Sequence, residues 1–507
     1  MPFPERRQIL AGSLTLPLAG LLSRTRASAV ESRATFESLL RPTVHTGAER
    51  WTLADRMARG GVPGAAIAIL RGGRIDSVAG HGVRSAGQVA AVGPDTLFSV
   101  GSVSKVATSA LCLKLVSLGL LDLDRDIGRW LKRWRVPAGP AGDSAAITLR
   151  MLLSHTAGFN VHGFQDIAPG APMPTLAQTL DGAGPALNKP LARIDKAGER
   201  SRYSGGGYMI VQAVIEDVLG VPFATAASRY LFAPLGMKRS RFDASPADDT
   251  ADIAHAHDGS GKTVARPRGW QSFPELAPSG LWTSANDLAR LVLALGASYR
   301  EPGGFLPQDL AVDMMTTVSP GPFGLGPRVT GEGAAHIFHH AGANDSYKAY
   351  IEGNLATGDG LVVVTNGANG DVLGDEIRNA VSDAFAWPGD WSVRTAPIAT
   401  TTIRSGFVGS YQRRPDQSLQ LAGILDTGFS AEQVDIVESA EGLEMRAKGK
   451  ARTLVPITSN RFVAPDAYIP AGTLQLLFNR AADRSVQTLT VIGGGGVLLF
   501  DRIVRKP

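Results

Sequence analysis

Cysteine is nearly absent: Cys112 is the only one in 507 residues, which excludes an intrachain disulfide. It falls in an apolar segment and reads as a small core side chain. Charge is sparse too, 19% of residues against 44% hydrophobic, the balance of a globular chain and not of a disordered one. The formal charge of +5 is largely an N-terminal effect, since Arg6, Arg7, Arg24 and Arg26 stand against Glu5 alone. No basic run is interleaved with aromatics, so nucleic acid is not an expected partner. His255 and His257, like the adjacent His339 and His340, lack Cys or carboxylate neighbours at ligand spacing, so neither metal nor cofactor is expected. Lys262-Thr263 is no phosphate loop, because Ala256 stands where the first glycine belongs. The apolar stretch from Ile9 to Leu22, about 14 residues, is too short for a stable membrane span.

That stretch instead reads as an export leader over residues 1–29. Arg6-Arg7 precede it, and Ala27-Ser28-Ala29 matches a small-x-small cleavage site. The paired arginines followed by Gln8-Ile9-Leu10 resemble a twin-arginine signal, with Glu5 where Ser or Thr is usual. An exported, periplasmic protein is expected.

The remaining length is too great for one ordinary domain. Ala65–Leu70 and Ile75–Val78, across Gly72-Gly73, predict a β-hairpin. Tyr347–Glu352 and Leu361–Thr365 predict two more strands, with a helix from Asp371 to Phe385. Between these outer pieces lie mostly helical patterns, including Tyr208–Leu219 and a capped helix opening at Ser284-Ala285-Asn286-Asp287. The expected fold is therefore α+β: an antiparallel sheet built from both ends of residues 30–390, flanked by helices, with a mostly helical insertion and a cleft at the junction. Residues 391–402 read as a linker. Over 403–507 the texture changes to short alternating runs such as Thr473–Phe478 and Gln487–Ile492, which predict a small all-β, barrel-like or sandwich domain.

Four stretches carry chemistry. Ser102-Val103-Ser104-Lys105 opens a segment that stops at Gly119. Positions i and i+3 share a helix face, so Ser102 Oγ and Lys105 Nζ come within reach, a nucleophile beside a base in a first helical turn. Arg202-Tyr203-Ser204-Gly205-Gly206-Gly207 places Tyr203 on a glycine-rich loop before a helix, where a phenol near Lys105 can take the Ser102 proton. Phe338-His339-His340-Ala341-Gly342-Ala343 sets small residues beside a strand edge, so that the Ala343 and Ser102 N–H groups could together hold an oxyanion. Ser154-His155-Thr156-Ala157-Gly158 holds a histidine that reads as structural, ending an apolar helix with backbone groups as partners.

In this order and spacing, these elements resemble the serine β-lactamase and penicillin-binding-protein superfamily. The likeness is nearest to its class C-like esterase and D-aminopeptidase branch and spans roughly residues 40–390. Val62-Pro63-Gly64, Pro234-Leu235-Gly236-Met237 and Gly280-Leu281-Trp282-Thr283-Ser284 add to it. The resemblance implies Ser102 as nucleophile, Lys105 and Tyr203 sharing general-base duty, and His340-Ala341-Gly342 in place of the lactamase Lys-Thr-Gly. Two departures follow. The usual Tyr-x-Asn is Tyr203-Ser204-Gly205, with no amide at Gly205 to bind substrate. An imidazole at His340, mostly neutral at pH 7, anchors a carboxylate less well than an ammonium. Both argue against efficient β-lactam or D-Ala-D-Ala turnover and leave small-molecule esters and less acidic amides as substrates. The expected activity is that of a serine hydrolase on a carboxylic ester or related acyl compound. Alternatives are an amidase or peptidase on D-residue or short peptides, a catalytically weak penicillin-binding-type protein, and a molecule whose C-terminal domain serves assembly. The long stretch Phe159–Arg202 is expected to wall or cover the cleft. No oligomeric state follows from the sequence.

Overall fold

The computed structural model describes residues 36–503 apart from 141–142, 144, 266–267, 345, 390–391, 396–405, 416–431, 441, 470–471, 484 and 494–495. The leader and most of the expected linker lie outside the described residues. Within that linker, Val393–Arg394 forms a short strand paired in parallel with Val44–His45.

A first helix, α1 (Leu53–Gly60), is opened by the Thr52 side chain and closed by Gly61 in the left-handed conformation. The hairpin follows as β1 (Gly64–Arg71) and β2 (Arg74–Gly82). The insertion then carries α2 (Ser104–Ser117), α3 (Gly205–Leu219) and α4 (Ala285–Arg300). The chain returns as β3 (Arg328–Thr330), β4 (Ile337–Asn344), β5 (Tyr347–Asn354), β6 (Gly360–Thr365) and α5 (Gly370–Phe385). The six strands run β2-β1-β6-β5-β4-β3, all neighbours antiparallel. The β1–β6 pairing, Ile67 opposite Val363, joins the two ends of the region as expected.

Alternation along the strands decides which layer each face covers. Ile67, Ile69, Leu361 and Val363 pack with Leu53, Met57, Leu373 and Ile377 of α1 and α5. Ala66, Ala68, Val362 and Val364 face the other way, into a core shared with Leu288, Leu291 and Leu295 of α4. Helix α2 is buried almost all round, Cys112 included, as a helix apolar on every side must be. Gly119 ends it at φ +71°, the left-handed stop read from the sequence.

Three local expectations are corrected. Ser102 lies not in the first turn of α2 but in a 3₁₀ turn, Gly101–Val103, just before it; Gly101 at φ +47° bends the chain sharply there. Gly205–Gly207 are not a loop but the first turn of α3, because the Ser204 side chain accepts from the Gly207 N–H and starts the helix early. The small-residue stretch before Tyr347 does not lie beside a strand; it is one, β4, paired along its whole length with β5.

The C-terminal residues form a closed barrel of eight strands, from Gly409–Arg413 to Gly496–Arg502, the last pairing with the first. Closure leaves no free strand edge. Phe407, Phe462, Phe478, Leu489 and Phe500 fill its interior.

Candidate active site

Two glycines set the geometry of the site. A Cβ on Gly101 would lie 2.5 Å from the backbone of Ala343, and one on Gly342 would lie 2.0 Å from the Val100 carbonyl and 3.1 Å from Ser102 N. Only glycine at both positions lets the 3₁₀ turn and β4 touch backbone to backbone. The contact brings Ser102 and Ala343 to one seam.

A second set of bonds fixes α2 against the helical turn Leu276–Ser279. Thr108 Oγ1 donates to the Ala277 carbonyl at 2.7 Å, and the Leu281 N–H donates to Ser104 Oγ at 3.0 Å. Asn344 ties β4 to the same turn, its amide donating to Ser99 Oγ at 2.7 Å and the Ser279 carbonyl at 2.9 Å. Lys105 Nζ sits within this frame and donates to Ser102 Oγ and to the Pro278 carbonyl, both at 3.0 Å. Lys105 is 2% exposed. Burial brings its ammonium down to about 7, opposed by the carboxyl of Glu275. A substantial neutral fraction of this amine is therefore present near pH 7.

Tyr203 immediately precedes the Ser204 cap of α3. Lys105 Nζ lies 4.8 Å from its ring centroid. His155, at φ +63° after the short helix Leu149–Leu153, accepts the Ser204 N–H at Nδ1 over 3.2 Å. This is the backbone partnership expected of it. Its ring also packs on Tyr203 at 4.3 Å between centroids, so it holds the phenol as well as the loop.

On β4, His340 is buried, and its Nδ1 lies 2.6 Å from the Ala341 carbonyl. A carbonyl only accepts, so the proton is on Nδ1. Burial, then the nearby Lys105, brings the imidazole down to about 3, and the ring is neutral at pH 7. Gly205 lacks a side chain because the space is taken: a Cβ there would lie 3.0 Å from the Phe164 ring and 3.1 Å from the His162 carbonyl. The His162 and Val161 carbonyls accept the Gly205 and Gly206 N–H groups at 3.0 and 3.1 Å, satisfying donors that open a helix. The long stretch thus forms a wall, as expected, and carries a helix of its own at Leu176–Asp181.

Ser102, Lys105, Tyr203, Gly205, His340, Gly342 and Ala343 all border one cavity of about 480 Å³. Every residue singled out as a site candidate meets there. Sequence reasoning missed Glu275, Phe164 and Asp166, which border it as well. Glu275 carried one available signal, a lone carboxylate in the segment Trp270–Leu281. Burial pushes its carboxyl up to about 8. Among the described residues, no group of three or more His, Cys, Asp or Glu is placed to hold a metal.

Comparison with known proteins bears on this arrangement. The family model described as Beta-lactamase matches residues 50–384. Esterase EstB of Burkholderia gladioli is 29% identical over 244 residues, 43% of this chain and 60% of the esterase. The octameric penicillin-binding protein homologue from Pyrococcus abyssi has a TM-score of 0.56 at 20% identity, over 88% of this chain and 98% of that one. EstCE1, a hydrolase with promiscuous acyltransferase activity, gives 0.54 at 20% identity, over 72% and 99%. Similarity to these structures at such identity shows a common fold. The chain spans 60–61% of the length of EstB and of the protein flp of Staphylococcus aureus.

Proposed function

This chain belongs to the beta-lactamase family, and from that membership we propose that it is a serine hydrolase cleaving carboxylic esters through an acyl-enzyme on Ser102. The observation that carries the reading is the 3.0 Å contact between Lys105 Nζ and Ser102 Oγ at the wall of the cavity. In its neutral form Lys105, with Tyr203 packed beside it, takes the Ser102 proton as Oγ attacks the ester carbonyl. The Ser102 and Ala343 N–H groups hold the oxyanion. The proton passes to the leaving alcohol as the C–O bond breaks, and a water deprotonated by the same groups then releases the acid.

The ester preference is supported by the two departures. His340, kept neutral by burial, offers no charge to a substrate carboxylate. The wall residue Phe164 fills the place at Gly205 where an amide would bind a peptide-like group. The leader at residues 1–29 supports a periplasmic site of action.

Replacement of Ser102 by Ala tests the reading. It should abolish hydrolysis of short p-nitrophenyl esters and covalent labelling by a fluorophosphonate. An adduct on Ser99, Ser104 or Ser204 in the parent enzyme, or parental activity in the variant, refutes it.

A further inference from the structure

The acyl-enzyme chemistry leaves one wall of the cavity without a task. Glu275 is 1% exposed. Its Oε1 accepts from Ser279 Oγ at 3.1 Å, while Oε2 is buried with no hydrogen-bond partner among the described residues. Lys105 acts on it through charge alone, since its amine donates its hydrogen bonds to Ser102 and Pro278 instead. A buried carboxyl oxygen left without a partner is costly, and native structures rarely keep one without a reason. Asp166 borders the same cavity from the long loop. Its place is set by the next residue, because Ile167 and Ser272 exchange backbone hydrogen bonds of 2.9 and 2.8 Å and so pin the loop to the segment leading into Glu275. The negative charge of Asp166 further disfavours ionisation of Glu275. A cation entering here offsets that repulsion and supplies the missing donor.

We propose that Glu275 and Asp166 form an acidic subsite beside Ser102 that receives a cationic nitrogen of the substrate, so that ammonium-bearing esters are preferred over neutral ones of the same shape. The proposal rests on the Ser102 acyl-enzyme reading for its kinetic consequence but not for binding itself.

Two isosteric substrate pairs test it on the full-length enzyme: ethyl 4-aminobutyrate against ethyl pentanoate, and butyrylcholine against 3,3-dimethylbutyl butyrate. Within each pair the acylation chemistry is shared, so the kcat/KM ratio reports the subsite. At least one ratio should favour the cation on the order of tenfold or more, the worth of a charge-assisted contact to a buried carboxylate. Glu275→Gln should bring that ratio to about one, because an amide cannot release a proton to meet the cation as the carboxyl can. Asp166→Asn, on a half-exposed loop, should lower it and keeps the test open if the buried variant does not fold. Binding is read separately by calorimetry of n-butylammonium chloride against n-butanol on Ser102→Ala. The amine should bind more tightly, and less so when Glu275→Gln is added. Both parental ratios at or below one, or equal binding of amine and alcohol, overturn the subsite. Cleavage of no ester, with the amine still bound preferentially, overturns the acyl-enzyme reading and leaves the subsite standing.

Discussion

Gly342→Ala probes the oxyanion seam without touching any group that moves a proton. The new Cβ would lie 2.0 Å from the Val100 carbonyl oxygen and 2.9 Å from Val103 N. Both are backbone atoms of the segment that carries Ser102, so neither can swing aside as a flexible side chain would. To reach an ordinary contact of 3.4 Å from 2.0 Å, β4 must withdraw by about 1.4 Å, and a displacement of even about 1 Å near reacting atoms costs on the order of 10²-fold. The withdrawal parts Ala343 N–H from Ser102 N–H, and loss of one oxyanion donor costs about 10²–10³ in kcat, or about 2.7–4 kcal/mol. The assay is kcat on p-nitrophenyl butyrate, with the thermal midpoint measured alongside to confirm that the protein is folded. KM should change far less than kcat, because the donor is strongest toward the charge that develops in the transition state. A folded variant with kcat within threefold of the parent would refute the assignment of this seam as the oxyanion hole.

Other consequences are as direct. If neutral Lys105 is the working form, kcat/KM should rise with pH through about 7, the ammonium having been brought down from 10.5 by burial. Lys105→Met should lower the plateau on the order of 10²–10⁴-fold, and a profile flat from pH 5 to 9 speaks against the amine. Gly205→Asn alone should impair the enzyme by driving the side chain into the Phe164 ring and the His162 carbonyl. Adding Phe164→Ala should recover activity, a non-additivity expected of neighbours in contact, and strictly additive losses would show that the two do not compete for space. Expression with an intact export pathway should yield a mature protein beginning near residue 30, read by N-terminal sequencing; an uncleaved Met1 removes the leader assignment.

Much of this protein is legible in its residues taken in order, because the relevant physics is local. The Ser102–Lys105 spacing lets the first side chain meet the fourth in any tight helical turn. The glycines at 119 and 220 end helices by tolerating a backbone that other residues resist. Alternating runs after residue 403, Thr473–Phe478 and Gln487–Ile492 among them, declared strands, and the structure closes eight strands there into a barrel. Where local reading failed, it failed at boundaries. The Ser204 cap pulled three glycines into α3, and pairing with β5 made a strand of a stretch whose own residues favour a loop.

The amino-acid order by itself thus marked the proposed nucleophile Ser102, the amine of Lys105 beside it, the phenol of Tyr203 and the small-residue stretch that meets them. Only folding decided that Glu275 and Asp166 border the same cavity, that His155 packs against Tyr203, and that Phe164 occupies the space over Gly205. These are contacts between segments far apart in the chain, and no periodicity or spacing encodes which distant side chain fills a given gap. Burial belongs to the same class. Lys105 and His340 look ordinary in sequence, and it is the removal of water by surrounding structure that brings both toward neutrality.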